Sequence, residues 1–322
     1  METDTDATRL AEQFGYRPPV AQLLTLGDLR EGKSHDYQAL GIGPDDIPEL
    51  IRMAADDSLW SVDSDSVEVW SSIHAWRALG MLRAEAAIGP LITLLSRPDD
   101  DDYDDWIGED FPDIFGQIGP AAIPALTAYL RAPGHGRWAR ATASGGLEKI
   151  AAAFPDTRER VVAIISGVLA DITNRPRPAN ESELVLNGNL VSDLITLHAV
   201  EAAPIIERAF AADRVDKTMA GDLEDVQIAL GLREKRDTPA RNYLRESLRA
   251  KGLDLPLLFG ADPDPDPDPE LDAAADAPAL IADPAPPVEP PEVVARRAAV
   301  ERKIRSKRAM AEQSRKQNRK RK

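Results

Sequence analysis

An internal repeat limits the folds open to this chain more than any other feature of its sequence. The segment from Trp70 to Leu95 can be aligned with the segment from Trp106 to Leu130 at an offset of 36 that becomes 35 after one gap. The matched pairs are Trp70 with Trp106, Leu79 with Phe115, Gly80 with Gly116, Leu82 with Ile118, Ala86-Ala87 with Ala121-Ala122, Leu91 with Leu126, and Leu95 with Leu130. A period of this length indicates a helical-repeat architecture.

Each repeat unit predicts a helical hairpin. A first helix is followed by a short turn, an Ala-Ala pair, an Ile with Pro close by, and a second helix with Leu on one face. Proline is tolerated there because the N–H groups of the first helical turn have no intrahelical acceptor. A fainter copy runs from Leu190 to Phe210, and Trp138 to Leu169 predicts a further helix pair with its turn near Pro155-Asp156.

A single hairpin of this kind cannot bury its apolar face, but a stack of hairpins can. We therefore predict an all-α fold, a HEAT-like α-solenoid of stacked helical hairpins followed by a disordered linker and a basic C-terminal tail. The predicted boundaries are a capping segment at 1–44, a repeat domain at 45–260, a linker at 261–292 and a tail at 293–322. Short helices at 21–29 and 47–56 are predicted to cap the amino end.

Charge divides the end of the chain from the rest. Residues 261–292 contain no Lys or Arg and are rich in Asp and Pro, with DPDPDPDP at Asp262–Pro269. Proline and mutually repelling carboxylates favour an extended, solvated chain, which predicts a disordered linker. Residues 293–322 hold 13 basic side chains against Glu301 and Glu312, although the whole chain carries a net charge of −16.

The hairpin segments IHAWRALGMLRAEAAIGPLITLLS and DDWIGEDFPDIFGQIG resemble a bacterial family of HEAT-like proteins of unknown function, over roughly residues 45 to 235. The resemblance implies a fold and a cytoplasmic location, and it implies no activity. Some relatives carry a cysteine-rich zinc motif near the C-terminus. This chain has no cysteine and cannot hold zinc in that way.

Two groups of side chains in the repeat region are candidate partner-binding residues. The first is Trp106 with Glu109 and Asp110, beside the acidic run that begins at Asp99. This run is predicted to be a solvated loop between repeats. The alternative is an acidic surface for a basic partner, with Trp106 an exposed anchor rather than a core residue like Trp70. The second is Trp138 with Arg137 and Arg140, because aromatic and arginine side chains are frequent interface anchors. The alternative for the second group is a tryptophan that caps its hairpin beside solvated arginines.

The tail is the candidate polyanion-binding segment. Its basic residues are Arg296, Arg297, Arg302, Lys303, Arg305, Lys307, Arg308, Arg315, Lys316, Arg319, Lys320, Arg321 and Lys322. Lys and Arg at this density release counterions from a polyanion, so we expect salt-sensitive contact with RNA or the ribosome, and a helix that forms only on binding. A solubilising tail or one that contacts the acidic body is an equal alternative, and an anionic membrane surface is a third.

Residue patterns for catalysis are absent from the sequence. The four histidines are not at metal-ligand spacing, and no HExxH, GxSxG, P-loop or GxGxxG pattern occurs. No apolar run approaches a membrane span, and the acidic amino end is unlike a secretory signal, so we expect a cytoplasmic location.

We therefore predict a non-enzymatic scaffold or adaptor, without a cofactor or metal, that binds a protein or peptide mainly through its second helices. The competing prediction is a HEAT-like enzyme or enzyme subunit, such as the lyase-like repeat proteins that act on bilin attachment. A pocket in which His74, Glu109 or Asp110 met Arg140 would favour the enzyme.

Overall fold

The computed structural model describes residues 2–28, 35–63, 66–96, 105–176 and 179–250, and within these ranges the chain is all-helical, without a β-strand. The chain divides into two units between residues 261 and 262, and every described residue belongs to the first. The α-helices of the first unit are α1 (Glu2–Phe14), α2 (Ile47–Ala54), α3 (Asp57–Trp60), α4 (Ser71–Met81), α5 (Ile88–Leu94), α6 (Asp105–Ile118), α7 (Ile123–Arg131), α8 (Arg137–Ala153), α9 (Arg158–Thr173), α10 (Glu181–Thr196), α11 (Ala203–Ala211), α12 (Lys217–Ala220), α13 (Leu223–Ala229) and α14 (Tyr243–Ala250).

The helices between α4 and α11 form four pairs, and they contact one another in chain order. The first helices of the pairs make one series, in which α4 packs on α6, α6 on α8, and α8 on α10. The second helices make another series, in which α5 packs on α7, α7 on α9, and α9 on α11. The helix pair predicted with its turn near Pro155-Asp156 is therefore α8 and α9.

A three-residue 3₁₀ turn precedes the second helix of every pair. These turns are Glu85–Ala87, Pro120–Ala122, Pro155–Thr157 and Val200–Ala202, and the last residue of each is buried. The small side chain at that position lets the turn lie close against the helices. The Ala-Ala pairs of the sequence repeat end on these buried positions.

The aligned glycines Gly80 and Gly116 occupy equivalent places at successive helix contacts. A Cβ atom on Gly80 of α4 would lie 2.7 Å from Oε1 of Gln117 and 3.4 Å from Cα of Ile114, both on α6. A Cβ atom on Gly116 of α6 would lie 2.8 Å from Cβ of Lys149 on α8. At Gly116 the next first helix therefore lies too close for a side chain, and at Gly80 a side chain would have to displace the end of Gln117.

The amino end is more helical than the sequence analysis predicted. Residues 2–14 form α1, which was not predicted, and a 3₁₀ helix at Val20–Thr25 occupies most of the predicted 21–29 helix. The second predicted helix is α2, which packs on α4 as α4 packs on α6. Leu50 and Met53 of α2 are completely buried, so this helix covers the apolar face of the first pair.

Arginine side chains bind the carbonyl groups that end several helices. Arg52 donates from Nη2 to the Gly15 carbonyl after α1 at 2.7 Å, and Arg158 donates from Nε to the Leu197 carbonyl after α10 at 3.0 Å. The last carbonyls of a helix lack intrahelical donors and carry partial negative charge. A guanidinium group satisfies both requirements and joins one helix to another.

Candidate functional site

A cavity of about 450 Å³ opens where the end of α7 and the start of α8 meet the start of α10. Its walls combine loop residues after α7 with side chains of these three helices and with residues that follow α5 and α9. The residues that line it are Leu95, Ser96, Tyr129, Pro133, Gly134, His135, Gly136, Arg137, Ala139, Arg140, Arg175, Asn180, Ser182 and Glu183. We call it the arginine cavity, after Arg137, Arg140 and Arg175.

Arg140 is the most deeply placed charge of the arginine cavity. Only 6% of its surface is exposed. Its Nε atom donates to the carbonyl of Leu130 at the end of α7, at 2.8 Å. Burial lowers the pKa of Arg140, the nearby positive charge of Arg175 lowers it further, and the Glu183 carboxylate acts in the opposite sense. The guanidinium group of Arg140 therefore lies where burial and the charge of Arg175 both destabilise its positive charge.

Glu183, in the first turn of α10, links this helix to Arg175 of the arginine cavity. Its carboxylate accepts a hydrogen bond from Nη1 of Arg175, and its Oε2 accepts one from the Asn180 backbone N–H at 3.3 Å. The Asn180 side chain in turn accepts from the Glu183 N–H at 2.9 Å, which completes a capping box at the start of α10. The positive end of the helix dipole thus lies at the cavity.

Arg137 and Trp138 lie together at the start of α8. The Arg137 guanidinium carbon is 5.7 Å from the centroid of the Trp138 ring, within the range of a cation–π contact. Nη1 of Arg137 also lies 3.4 Å from the Ser182 hydroxyl of α10. Arg137 therefore forms part of the contact between the first helices α8 and α10.

Tyr129 and His135 supply the aromatic part of the arginine cavity. Their rings stack in parallel, with centroids 3.7 Å apart and 4° between the planes. The Tyr129 hydroxyl lies 3.1 Å from the Ser96 hydroxyl, and burial raises the pKa of Tyr129. His135, which follows Pro133-Gly134 in a turn, is held at the cavity by this stacking.

A second cavity, of about 390 Å³, lies between α4 and α6. It is lined by His35, Tyr37, Arg77, Met81, Asp110, Asp113, Ile114 and Gln117. Asp110 accepts two hydrogen bonds from Arg77, at 2.7 and 2.9 Å, so its charge is balanced across the two helices.

His74 lies behind Tyr37 of the second cavity and is completely buried. Its Nε2 is 3.0 Å from the Gly27 carbonyl, which can only accept, so Nε2 donates and Nδ1 accepts from the Tyr37 hydroxyl at 3.0 Å. Burial lowers the pKa of His74 to about 4, so the ring is neutral near pH 7. This arrangement fixes the tautomer and uses both nitrogens in structural contacts.

The structure separates the two predicted groups of partner-binding residues. Asp110 lies in the second cavity, whereas Arg137 and Arg140 lie in the arginine cavity with Trp138 beside them. Trp106 is half-buried, with its ring 5.1 Å from the ring of its repeat partner Trp70 in an edge-to-face contact, and Glu109 is exposed on α6. Asp110 and Arg140 do not converge, so the arrangement that would favour an enzyme is not formed by this pair.

Sequence reasoning missed Arg175, Glu183 and Tyr129. Arg175 and Glu183 face each other across the end of α9 and the start of α10, and neither side chain belongs to the repeat pattern. The signal that could have found Glu183 is Asn180 three residues before it, because Asn followed by Glu at this spacing is typical of a capping box. The predicted polyanion-binding residues 296–322 and the acidic run 99–102 lie outside the described residues.

Within the described ranges, no three His, Asp or Glu side chains come together as a set that would hold a metal ion. The described helices also fall short of the length and apolar character that a bilayer crossing requires. No protein-family model, curated protein or solved structure matches this chain. A functional assignment therefore rests on the residues and geometry of the chain itself.

Proposed function

We propose that this chain is a HEAT-like α-solenoid, similar to the bacterial family named above, that acts in the cytoplasm as a non-enzymatic scaffold or adaptor. It binds a protein or peptide, and its basic tail contacts a polyanion, with RNA or the ribosome the favoured target. The observation that carries the proposal is that the helices contact one another in the order in which they follow along the chain. Each first helix packs on the next first helix, and each second helix on the next second helix.

Contacts in chain order favour a scaffold for a physical reason. Helix pairs that stack on their neighbours expose a surface that lengthens with every pair, and repeat proteins use such surfaces to bind extended partners. The recurring 3₁₀ turn with its buried last residue supports the same arrangement, because it precedes the second helix of every pair.

The surface of the described residues favours polar recognition over a broad apolar patch. Few large apolar side chains are exposed on this surface, and these are Val67, Val200, Met219, Leu232 and Leu244. The arginine cavity, lined by Arg137 and by the stacked rings of Tyr129 and His135, instead combines charge with aromatic surface, which is the usual chemistry of interface anchors. We therefore place the partner contact at or near this cavity.

Contact with a polyanion is tested by neutralising the tail in the full-length chain. The 13 Lys and Arg residues between 293 and 322 are changed to Gln, and binding to a single-stranded RNA is measured over a range of salt concentrations. We expect the RNA affinity to fall and the dependence of log K on log salt to become much flatter, because fewer counterions are released.

The matched control changes only Glu301 and Glu312 to Gln, which makes the same segment more basic. This variant should bind RNA more tightly than the unmodified protein at low salt. Equal RNA affinity and equal salt dependence for all three proteins would refute polyanion binding by the tail.

A further inference from the structure

We propose that the arginine cavity is a binding site for a phosphate monoester group. The inference does not depend on the scaffold proposal, since the cavity could bind a phosphorylated molecule whether or not the helices serve as an adaptor. It rests on buried donors, on the charge of the lining residues and on the start of a long helix.

Arg140 provides donors on a buried side chain that lines the cavity. A guanidinium group has five N–H donors. Among the described residues, the Leu130 carbonyl is the one acceptor found for Arg140, and it takes the Nε proton. The two terminal nitrogens form a planar fork on the same buried side chain, which suits two oxygens of one oxyanion.

Arg158 shows what a purely structural arginine looks like in this fold. Like Arg140, it donates from Nε to the last carbonyls of a neighbouring helix, here at Leu197. Its terminal nitrogens, however, are used by the His198 carbonyl at 3.0 Å and the Glu201 carboxylate at 2.8 Å. Structural contacts with the helix end and with Glu201 therefore use all three nitrogens of Arg158, whereas the helix-end contact of Arg140 uses only Nε.

The described lining of the arginine cavity carries more positive than negative side chains. It includes three guanidinium groups and one carboxylate, that of Glu183, which pairs with Arg175. A phosphate monoester carries a charge of about −1.5 to −2 near neutral pH, so a positive lining attracts it more strongly than it attracts a singly charged carboxylate.

The start of α10 adds a second source of attraction for an anion. This helix has 16 residues, and Asn180, Ser182 and Glu183 at its first turn line the cavity. The N–H groups of a first helical turn and the helix dipole favour phosphate. The volume of about 450 Å³ leaves room for the molecule or side chain that carries the phosphate.

The test uses the full-length protein and measures binding of inorganic phosphate and of acetate at equal ionic strength by calorimetry. We expect phosphate to bind more tightly than acetate, and Arg175→Gln to weaken phosphate binding about tenfold or more. Arg140→Gln should have at least the same effect. Because Arg140 is buried and its variant could fail to fold, the half-exposed Arg175 carries the test alone if necessary.

Arg158→Gln is the matched control, since it removes an arginine that binds helix-end carbonyls and a carboxylate outside the cavity. Phosphate binding should be unchanged in this variant. The basic tail is present in every protein compared, so its own affinity for anions is common to all. Equal phosphate affinity in wild type and Arg175→Gln, or acetate binding as tight as phosphate, would overturn the proposal.

A third arm distinguishes the source of the phosphate. A phosphoserine peptide that binds at least tenfold more tightly than both inorganic phosphate and its unphosphorylated form would assign the site to a phosphorylated protein partner. Equal affinity for inorganic phosphate and the phosphopeptide would assign it to a small phosphorylated molecule. Arg175→Gln should weaken whichever ligand binds, and its failure to do so contradicts the proposal.

Discussion

At the scale of single residues, burial shifts the pKa values of His74 and Asp193 in opposite directions. Burial lowers the pKa of His74 to about 4, and burial, reinforced by the negative charge of Glu148, raises the pKa of Asp193 to about 7. Asp193 of α10 accepts a hydrogen bond from the Ser144 hydroxyl of α8 at 2.5 Å. Each residue makes the free energy of unfolding depend on pH, because its pKa differs between the folded and unfolded chains.

The contributions of His74 and Asp193 to the free energy of unfolding change in opposite directions between about pH 4 and pH 7. The unfolded chain takes up a proton on His74 as the pH falls below about 6.5, so the His74 contribution to stability is lost on acidification. The folded chain keeps a proton on Asp193 that the unfolded chain releases above about pH 3.9, so the Asp193 contribution is lost as the pH rises towards 7. In the unmodified protein, these two contributions to the pH dependence of the free energy of unfolding should largely cancel.

We predict that Asp193→Asn exposes the His74 effect. Urea unfolding at a series of pH values should show the stability of this variant falling more steeply on acidification from pH 6.5 to 4, by up to about 1.4 kcal/mol per pH unit. At pH 8 the variant should be more stable than the unmodified protein, because no charge is buried. The exposed Asp171 on α9, changed to Asn, is the control. A pH profile of Asp193→Asn that is parallel to that of the unmodified protein would show this explanation to be wrong.

At the scale of helices and turns, the repeat in the sequence reflects repeated contacts. Gly80 and Gly116 align at an offset of 36 because each lies where one first helix meets the next. The Ala-Ala pairs align because the 3₁₀ turns end on buried small residues. These features could be predicted because a solvent-excluded helix contact restricts residue size at fixed intervals.

The same reasoning predicts the effect of a single methyl group. Gly116→Ala should lower the free energy of unfolding by about 1–3 kcal/mol, since the new Cβ atom would lie only 2.8 Å from Cβ of Lys149, close to the α8 backbone. Gly167→Ala is the matched control in α9, where nothing lies within 4 Å of the added atom. It should raise stability by about 0.5–1 kcal/mol. Chemical denaturation measures both, and a Gly116→Ala protein as stable as Gly167→Ala would disprove the close approach.

The arginine cavity was only partly predictable at this scale. Arg137, Trp138 and Arg140 could be chosen from their residue types and their closeness in sequence. Arg175 and Glu183 could not, because Arg175 follows α9 and Glu183 belongs to the first turn of α10, and no periodic pattern places these two positions beside α8. Side chains that meet through tertiary packing have no fixed spacing in the sequence.

At the scale of the whole molecule, the internal repeat predicted the all-helical class and the helix pairs, because hairpins that bury their apolar faces by stacking repeat at a fixed spacing. It did not predict α1, whose sequence ETDTDATRLAEQF offers little apolar surface. Packing of α1 on the 3₁₀ helix at Val20–Thr25, with Leu10 buried, supplies what the local sequence lacks. Tertiary contacts thus outweigh local preference at the amino end.

The central claim is that the helix pairs stack in chain order as a solenoid, and spin-label distances test it most directly. The chain has no cysteine, so labels can be placed without background at the exposed Gly89 of α5, Ala163 of α9 and Glu207 of α11. Packed helices lie about 8–10 Å apart, so pulsed electron paramagnetic resonance should give a distance near 20 Å for 89–163 and near 30 Å for 89–207, before allowance for the label arms. An 89–207 distance equal to or shorter than the 89–163 distance would mean that the helices close on one another as a bundle, and would contradict the solenoid.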